Sequence, residues 1–172
     1  MARETYSFDM FGVDYRTKQF SAARGMKLLA IRREIHPLEL LETTEAKGPD
    51  GKWYPLSVAE NVNALVVDRA FILAPLLVLR GLVSVVSDYQ FDFLTNWKGV
   101  KIPSRFLGGS VAVTSNHVDP VLAQVMSKGM ATLDRLEQYY SLFDAFVMFD
   151  VIMSDGLSQA LANEEAAKDA KR

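Results

Sequence analysis

Residues Asp119–Asp155 read DPVLAQVMSKGMATLDRLEQYYSLFDAFVMFDVIMSD. Within them Leu122, Met126, Met130, Leu133, Leu136, Tyr140, Phe143, Val147 and Val151 recur at steps of three or four, the spacing of an amphipathic helix. Asp119 is placed to cap that helix and Pro120 suits its first turn. Tyr139, Phe146, Met148 and Phe149 fall outside the stripe, so the apolar surface widens toward the C-terminal end beyond what a helix on a single core needs. Met deforms to fit irregular partners, and aromatic rings bury much area with few rotatable bonds. The pattern predicts a long C-terminal helical segment with apolar surface left over for another chain.

Beyond Asp155 and Gly156, LSQALANEEAAKDAKR stays helical but becomes charged and Ala-rich, with no apolar face after Leu161. Its end is expected to fray. Upstream, the apolar stretch Ala64–Val86 is interrupted by Asp68, Arg69 and Arg80. Its uncharged run, Ala70–Leu79, is about half of the roughly 20 residues a membrane span needs, and a central charge costs on the order of 2.5 to 3.5 kcal/mol on insertion. A buried helix is therefore expected. Ser57 and Glu60 form an S-x-x-E capping box just after Pro55, which should start it. Pro75 should break or kink it, with Leu76–Val86 continuing as a second helix or a strand.

The N-terminal stretch has a different period. Tyr6, Phe8 and Met10, then Val13, Tyr15 and Thr17, alternate with polar residues around Phe11-Gly12, as in a short hairpin. A helix is expected from Ser21 to about Ile35, with Met26, Leu29 and Ile31 available for burial and Arg24, Lys27, Arg32 and Arg33 on its solvated face. Pro37 can open a further short helix, LELLETTEA, ended by the turn at Gly48, Pro49, Asp50 and Gly51. Phe91–Trp97 reads as a short helix; Lys98–Pro103 and Val111–Thr114 read as extended, separated by Gly108-Gly109. Phe91, Phe93, Trp97 and Phe106 are expected to form one small cluster anchoring that connector. The fold class is thus mainly α with a small N-terminal β-hairpin (α+β), its helices packed around one core. Residues 1–115 form the hairpin-plus-helices domain and 116–172 the C-terminal helical segment with a charged tail.

A length of 172 residues suits one domain, or one with an appendage. A net charge of −2 gives no electrostatic preference for nucleic acid or an anionic membrane. The absence of cysteine removes disulfides and thiolate chemistry. The start, MARETYSFDMFG, lacks the order of a secretory signal, so a cytoplasmic protein is expected. His36 sits before a proline and His117 in the loop SNHVDP, and neither has a metal-ligand spacing. Asp119 beside His117 is explained as a helix cap, and Asp88 with Asp92 has a spacing common on solvated helix faces. No nucleophile elbow, Walker loop or G-x-G-x-x-G occurs. No catalytic residue, metal site or cofactor is expected.

The order of segments carries more than any motif. The hairpin YSFDMFGVDYRTKQF, the small-residue and basic helix SAARGMKLLAIRR, a Trp-containing turn, PLSVAENVNALVVDRAFILAPLLVLRGLV and the aromatic stretch FDFLTNWKGVKIPSRF together resemble the tail assembly chaperones of tailed bacteriophages. The likeness runs over roughly the first two thirds of the chain. It implies a non-enzymatic protein, cytoplasmic in the infected bacterium, that coats the aggregation-prone helices of the tape measure protein and helps recruit tail tube subunits. It also implies a longer form made by ribosomal frameshifting, with a slippery heptamer near the codons for Glu164–Arg172. The family offers no fixed residues to carry over. Surface reasoning names Met126, Met130, Tyr139, Tyr140, Phe143, Phe146 and Phe149 as partner-binding, with Arg24 and Lys27 as polar contacts. The same surface suits a homo-oligomer. The long Met and aromatic C-terminal helices depart from the family's usual picture and keep a structural subunit of a phage tail or baseplate as the alternative.

Overall fold

The computed structural model describes residues 3–106 and 117–170. Strands β1 (Thr5–Met10) and β2 (Val13–Lys18) pair antiparallel around Phe11-Gly12. Phe11 and Gly12 have φ of 54 and 76°, both positive, as the tight two-residue hairpin turn requires. Alternation turns Val13, Tyr15 and Thr17 inward. The Tyr15 hydroxyl donates to the Leu65 carbonyl at 3.2 Å, and burial pushes its pKa up to about 12.

The expected hairpin is half of a larger sheet. Strands β3 (Thr44–Lys47) and β4 (Trp53–Pro55) extend it in the order β1-β2-β3-β4, every pair antiparallel. The helix expected over LELLETTEA is corrected accordingly: helix α2 (Pro37–Leu40) makes a single turn. Beyond it, Thr44 and Ala46 turn inward while Glu45 pairs with Arg16 and Lys47 with Asp14 on the outer face, a strand's alternation. The buried Thr44 hydroxyl donates to that of Thr17 at 2.9 Å. His36 caps α2: its Nδ1 accepts from the Leu38 N–H, and its own N–H donates to Glu39.

Helix α1 (Ala22–Leu29) is capped by Ser21 and ends earlier than expected, burying Met26 and Leu28 and leaving Leu29 exposed. Helix α3 (Ala59–Leu65) begins without the Ser57–Glu60 box; Val58 holds the cap position, and Asn61 Nδ2 donates to the Pro55 carbonyl at 2.8 Å. The helix does not run on toward Pro75. Residues 66–74 are irregular, and Pro75 starts helix α4 (Pro75–Thr95) at the one helical position where its missing N–H costs nothing.

The single C-terminal helix expected from Asp119 is three: α5 (Pro120–Ser127), α6 (Leu133–Gln138) and α7 (Leu142–Asp169). Gly129, at φ 70°, ends α5. Its N–H donates to the Met126 carbonyl and that of Met130 to the Val125 carbonyl, the paired bonds of a Schellman motif. Thr132 then caps α6, and Ser141 caps α7 in a reciprocal box with Asp144. Asp119 caps α5 as expected, accepting from the Val121 N–H at 2.9 Å. The expected Gly108-Gly109 turn and extended Val111–Thr114 lie outside the described residues.

The molecule is α+β, mainly helical behind an N-terminal sheet. Among the described residues, most buried apolar side chains fall into two clusters. One joins Val13 and Tyr15 of the sheet to Leu41, Leu56, Val78, Leu82 and Val86. The other gathers Ala22 and Met26 of α1 with Leu122, Val125, Leu136, Leu142 and Ala145, so α1 packs with the C-terminal helices across the 115/116 division. Gln90 links the two: its Oε1 accepts from the Phe20 N–H at 2.8 Å and its Nε2 donates to the Lys18 carbonyl at 3.0 Å.

Candidate partner-binding surface

Helix α7 has 28 residues, about 42 Å at 1.5 Å per residue. Its start is fixed: the Ser141 N–H donates to Asp144 Oδ2 at 2.9 Å and the Asp144 N–H to Ser141 Oγ at 3.1 Å. Leu142 and Ala145 are buried against α1 and α5. Close approach of α1 is possible because residue 25 is glycine; a Cβ there would lie 2.9 Å from Leu142 Cβ. With that face fixed inward, Phe143, Val147 and Val151, four residues apart, remain 37, 39 and 52 % exposed. Tyr139, at the end of α6, extends the row and is also exposed.

The row has an aromatic footing. Phe143 and Phe146 meet Phe93 and Trp97 of the α4 end edge to face, with centroids 5.4 to 5.9 Å apart. Such pairs add about 0.5–1.5 kcal/mol each beyond area burial. The connector cluster expected from sequence is therefore corrected: only Phe93 and Trp97 stay together, recruited by α7. Phe91 packs on Phe20 instead, and Phe106 lies under the Arg105 guanidinium, lining a cavity of about 360 Å³ with Ile152 and Leu157.

Of the residues named from sequence, Tyr139 and Phe143 share the exposed row. Tyr140, Phe146 and Phe149 are half-buried beneath it, Tyr140 edge-on to Tyr139 at 5.2 Å. Met126 is half-buried, Met130 is exposed, and the two line a neighbouring depression of about 500 Å³ with Leu133 and Arg135. Arg24 and Lys27 belong to α1, not to the row. Arg24 pairs with Glu42 at 2.6 Å, while Lys27 lines a separate cavity of about 380 Å³ with His117, Asp119 and Glu137. Val147, Val151, Phe93 and Trp97 were absent from the expected site. The fourfold step from Phe143 to Val151 was the signal for two of them.

Polar chemistry around this surface is structural. Asp150 accepts from the Val100 N–H at 2.8 Å, tying the connector to α7. Glu164 bonds Lys168 and Arg105, and those contacts, led by the Lys168 bond, hold its carboxyl below the usual range. Asp88 and Asp92 are exposed on α4 and do not line the cavity that holds His117. Among the described residues, no cluster of three or more His, Asp or Glu side chains is placed to hold a metal ion. Among them, too, α7 is the one helix long and apolar enough to cross a membrane by length and composition; the stretch weighed for that role from sequence, Ala64–Val86, is broken at 66–74. Comparisons with protein-family models, curated proteins and solved structures return no match.

Proposed function

We propose that the protein is a non-enzymatic chaperone of phage tail assembly, shielding apolar helices of a tape measure protein and helping to recruit tail tube subunits in the bacterial cytoplasm. The observation that carries this reading is the exposed apolar row Phe143, Val147 and Val151 on the anchored helix α7, extended by Tyr139 at the end of α6. A row at steps of four is a ridge that fits the groove of a second helix. The flanking Met126 and Met130 can adapt to many partner sequences. Apolar burial contributes about 25 cal/mol per Å² before ordering costs, so a row of four side chains supports modest affinity per contact. Repetition along a long helical partner turns that into firm coating. The likeness of the N-terminal segments to tail assembly chaperones supplies the class of partner.

The test is co-expression with the tape measure protein encoded in the same genome. The wild-type chain should keep that protein soluble and co-purify with it. Val147→Asp with Val151→Asp, both at exposed positions, should melt like wild type yet leave the tape measure protein in the pellet. A double variant that still protects it, or a tape measure protein soluble alone, overturns the reading. Purified virions separate the alternative: a chaperone is missing from them, whereas a tail or baseplate subunit is retained at fixed copy number.

A further inference from the structure

The segment between α3 and α4 carries a second apolar patch, unrelated to the α7 row. Phe71 is 91 % and Ile72 81 % exposed, and Leu76 and Leu77 at the start of α4 are exposed beside them. The backbone there is tightly held. The Asp68 carboxylate, itself buried, accepts from the N–H groups of Ala70 and Ile72 at 2.9 Å and of Leu73 at 3.0 Å. The Arg69 N–H donates to the Phe11 carbonyl at 3.2 Å. Phe71 sits at φ 57°, a left-handed conformation that is an outlier for a bulky aromatic residue. Strain of this kind persists only where the surroundings enforce it, and it clusters at functional sites. Here it thrusts a phenyl ring into water.

A depression of about 680 Å³ opens at the same loop, lined by Phe11, Gly12, Asp68, Arg69, Ala70, Ile72 and Leu73 but not by Phe71 itself. We propose that this patch is a self-association site at which a second copy of the chain docks about a two-fold axis, the Phe71 ring of each copy entering the depression of the other. A projecting knob and an apolar socket side by side on one surface are what an isologous contact requires; a foreign partner would need only one of them. The socket suits an aromatic ring, since Phe11 is among its lining residues and Arg69 carries a guanidinium able to form a cation–π contact. Area sets the strength of the contact. A full aromatic side chain carries about 150–250 Å², so the four exposed side chains present on the order of 500 Å². Two such patches together present about 1,000 Å², below the roughly 1,200–2,000 Å² of stable interfaces and in the range of a weak, concentration-dependent contact. The patch precedes α4, whereas the α7 row stands on Phe93 and Trp97 at the other end of that helix. Docking therefore leaves the row free.

Sedimentation velocity over a dilution series tests this. Wild type should pass from monomer to dimer with rising concentration, and Phe71→Asp should weaken dimerisation at least about thirtyfold, as loss of a central aromatic anchor does. Phe71→Gly guards against misfolding, because glycine accepts the positive φ; it should be monomeric and melt no lower than wild type when both are dilute. Val147→Asp should dimerise like wild type. A chain that stays monomeric throughout, a dimer indifferent to both Phe71 variants, or a dimer lost with Val147→Asp instead would overturn the proposal. So would a monomer that binds phosphatidylglycerol vesicles through Phe71, which would make the patch a membrane contact.

Discussion

Two buried polar side chains decide local geometry that their neighbours only follow. Asp68 fixes the loop presenting Phe71, and the N–H bonds it accepts, led by that from Ala70, hold its carboxyl below the usual range. The folded state thus binds fewer protons than the unfolded state in acid. The resulting stability is present above the ordinary carboxylate pKa of about 3.9 and is lost as pH falls through the depressed folded value. Asp68→Asn replaces an accepting oxygen with an amide that faces N–H donors. It should lower the urea midpoint at neutral pH and flatten the acid decline; an acid limb matching wild type would exclude Asp68 as its source. Gln90 acts between the two cores. Gln90→Leu strands the buried Phe20 N–H, while the Lys18 carbonyl keeps the bond it accepts from the Thr43 hydroxyl, so equilibrium denaturation should show a loss of about 1–3 kcal/mol. Neither role was legible in the sequence. Asp68 reads as an interruption of an apolar run and Gln90 falls between the segments Leu76–Val86 and Phe91–Trp97, because what buries them is contributed by residues distant in the chain.

At the scale of elements, period was readable and interruption was not. The hairpin was legible since β1 and β2 alternate strictly with Gly12 at the turn. Strands β3 and β4 were hidden because TEAK marks its inward face with Thr and Ala, not with large apolar residues, and WYP is only three residues long. The three C-terminal helices merged into one since the steps of three and four continue across Gly129, Thr132 and Ser141. The stop lay in local chemistry: a glycine able to take positive φ, then S-x-x-D at 141–144, a capping box in plain view. Helix packing makes a sharper demand at Gly25. Gly25→Ala gains about 1 kcal/mol of helix propensity, but its methyl would sit 2.9 Å from Leu142 Cβ, an atom held close to the α7 backbone and unable to swing away. Overpacking of this kind costs about 1–3 kcal/mol, so crowding should prevail and the variant should unfold at lower urea. Leu142→Ala removes the Cδ1 and Cδ2 atoms that would also crowd that methyl at 2.9–3.0 Å but keeps Cβ, so in a double-mutant cycle Gly25→Ala should cost less on the Leu142→Ala background than on wild type, the difference reporting the α1–α7 coupling.

For the whole molecule, the α+β class followed from the change of period near Ser21, whereas the stripe through Phe143, Val147 and Val151, which its spacing presents as the core-facing side, is exposed on α7. The Phe71 patch was not legible either, because an apolar run in sequence carries no sign of which side faces water; VDRAFILAPLL reads as buried until Asp68 and Pro75 are seen to hold it open. Both patches flank α4. Pro75 and Phe93 lie 18 residues apart on that helix, about 27 Å at 1.5 Å per residue. A dimer closed through Phe71 therefore presents two separate α7 rows on one particle, and the two surfaces can be uncoupled by mutation. Against a single amphipathic helix, Phe71→Gly should bind as tightly as wild type, since one row suffices. Against a tape measure fragment long enough to span both rows, wild type gains from effective concentration and Phe71→Gly should bind at least about tenfold more weakly. Val147→Asp with Val151→Asp should lose both targets while remaining dimeric. Isothermal titration with short and long fragments reads all three outcomes. Equal weakening of Phe71→Gly on the short helix would mean that the loop touches the partner itself and that the two surfaces are one.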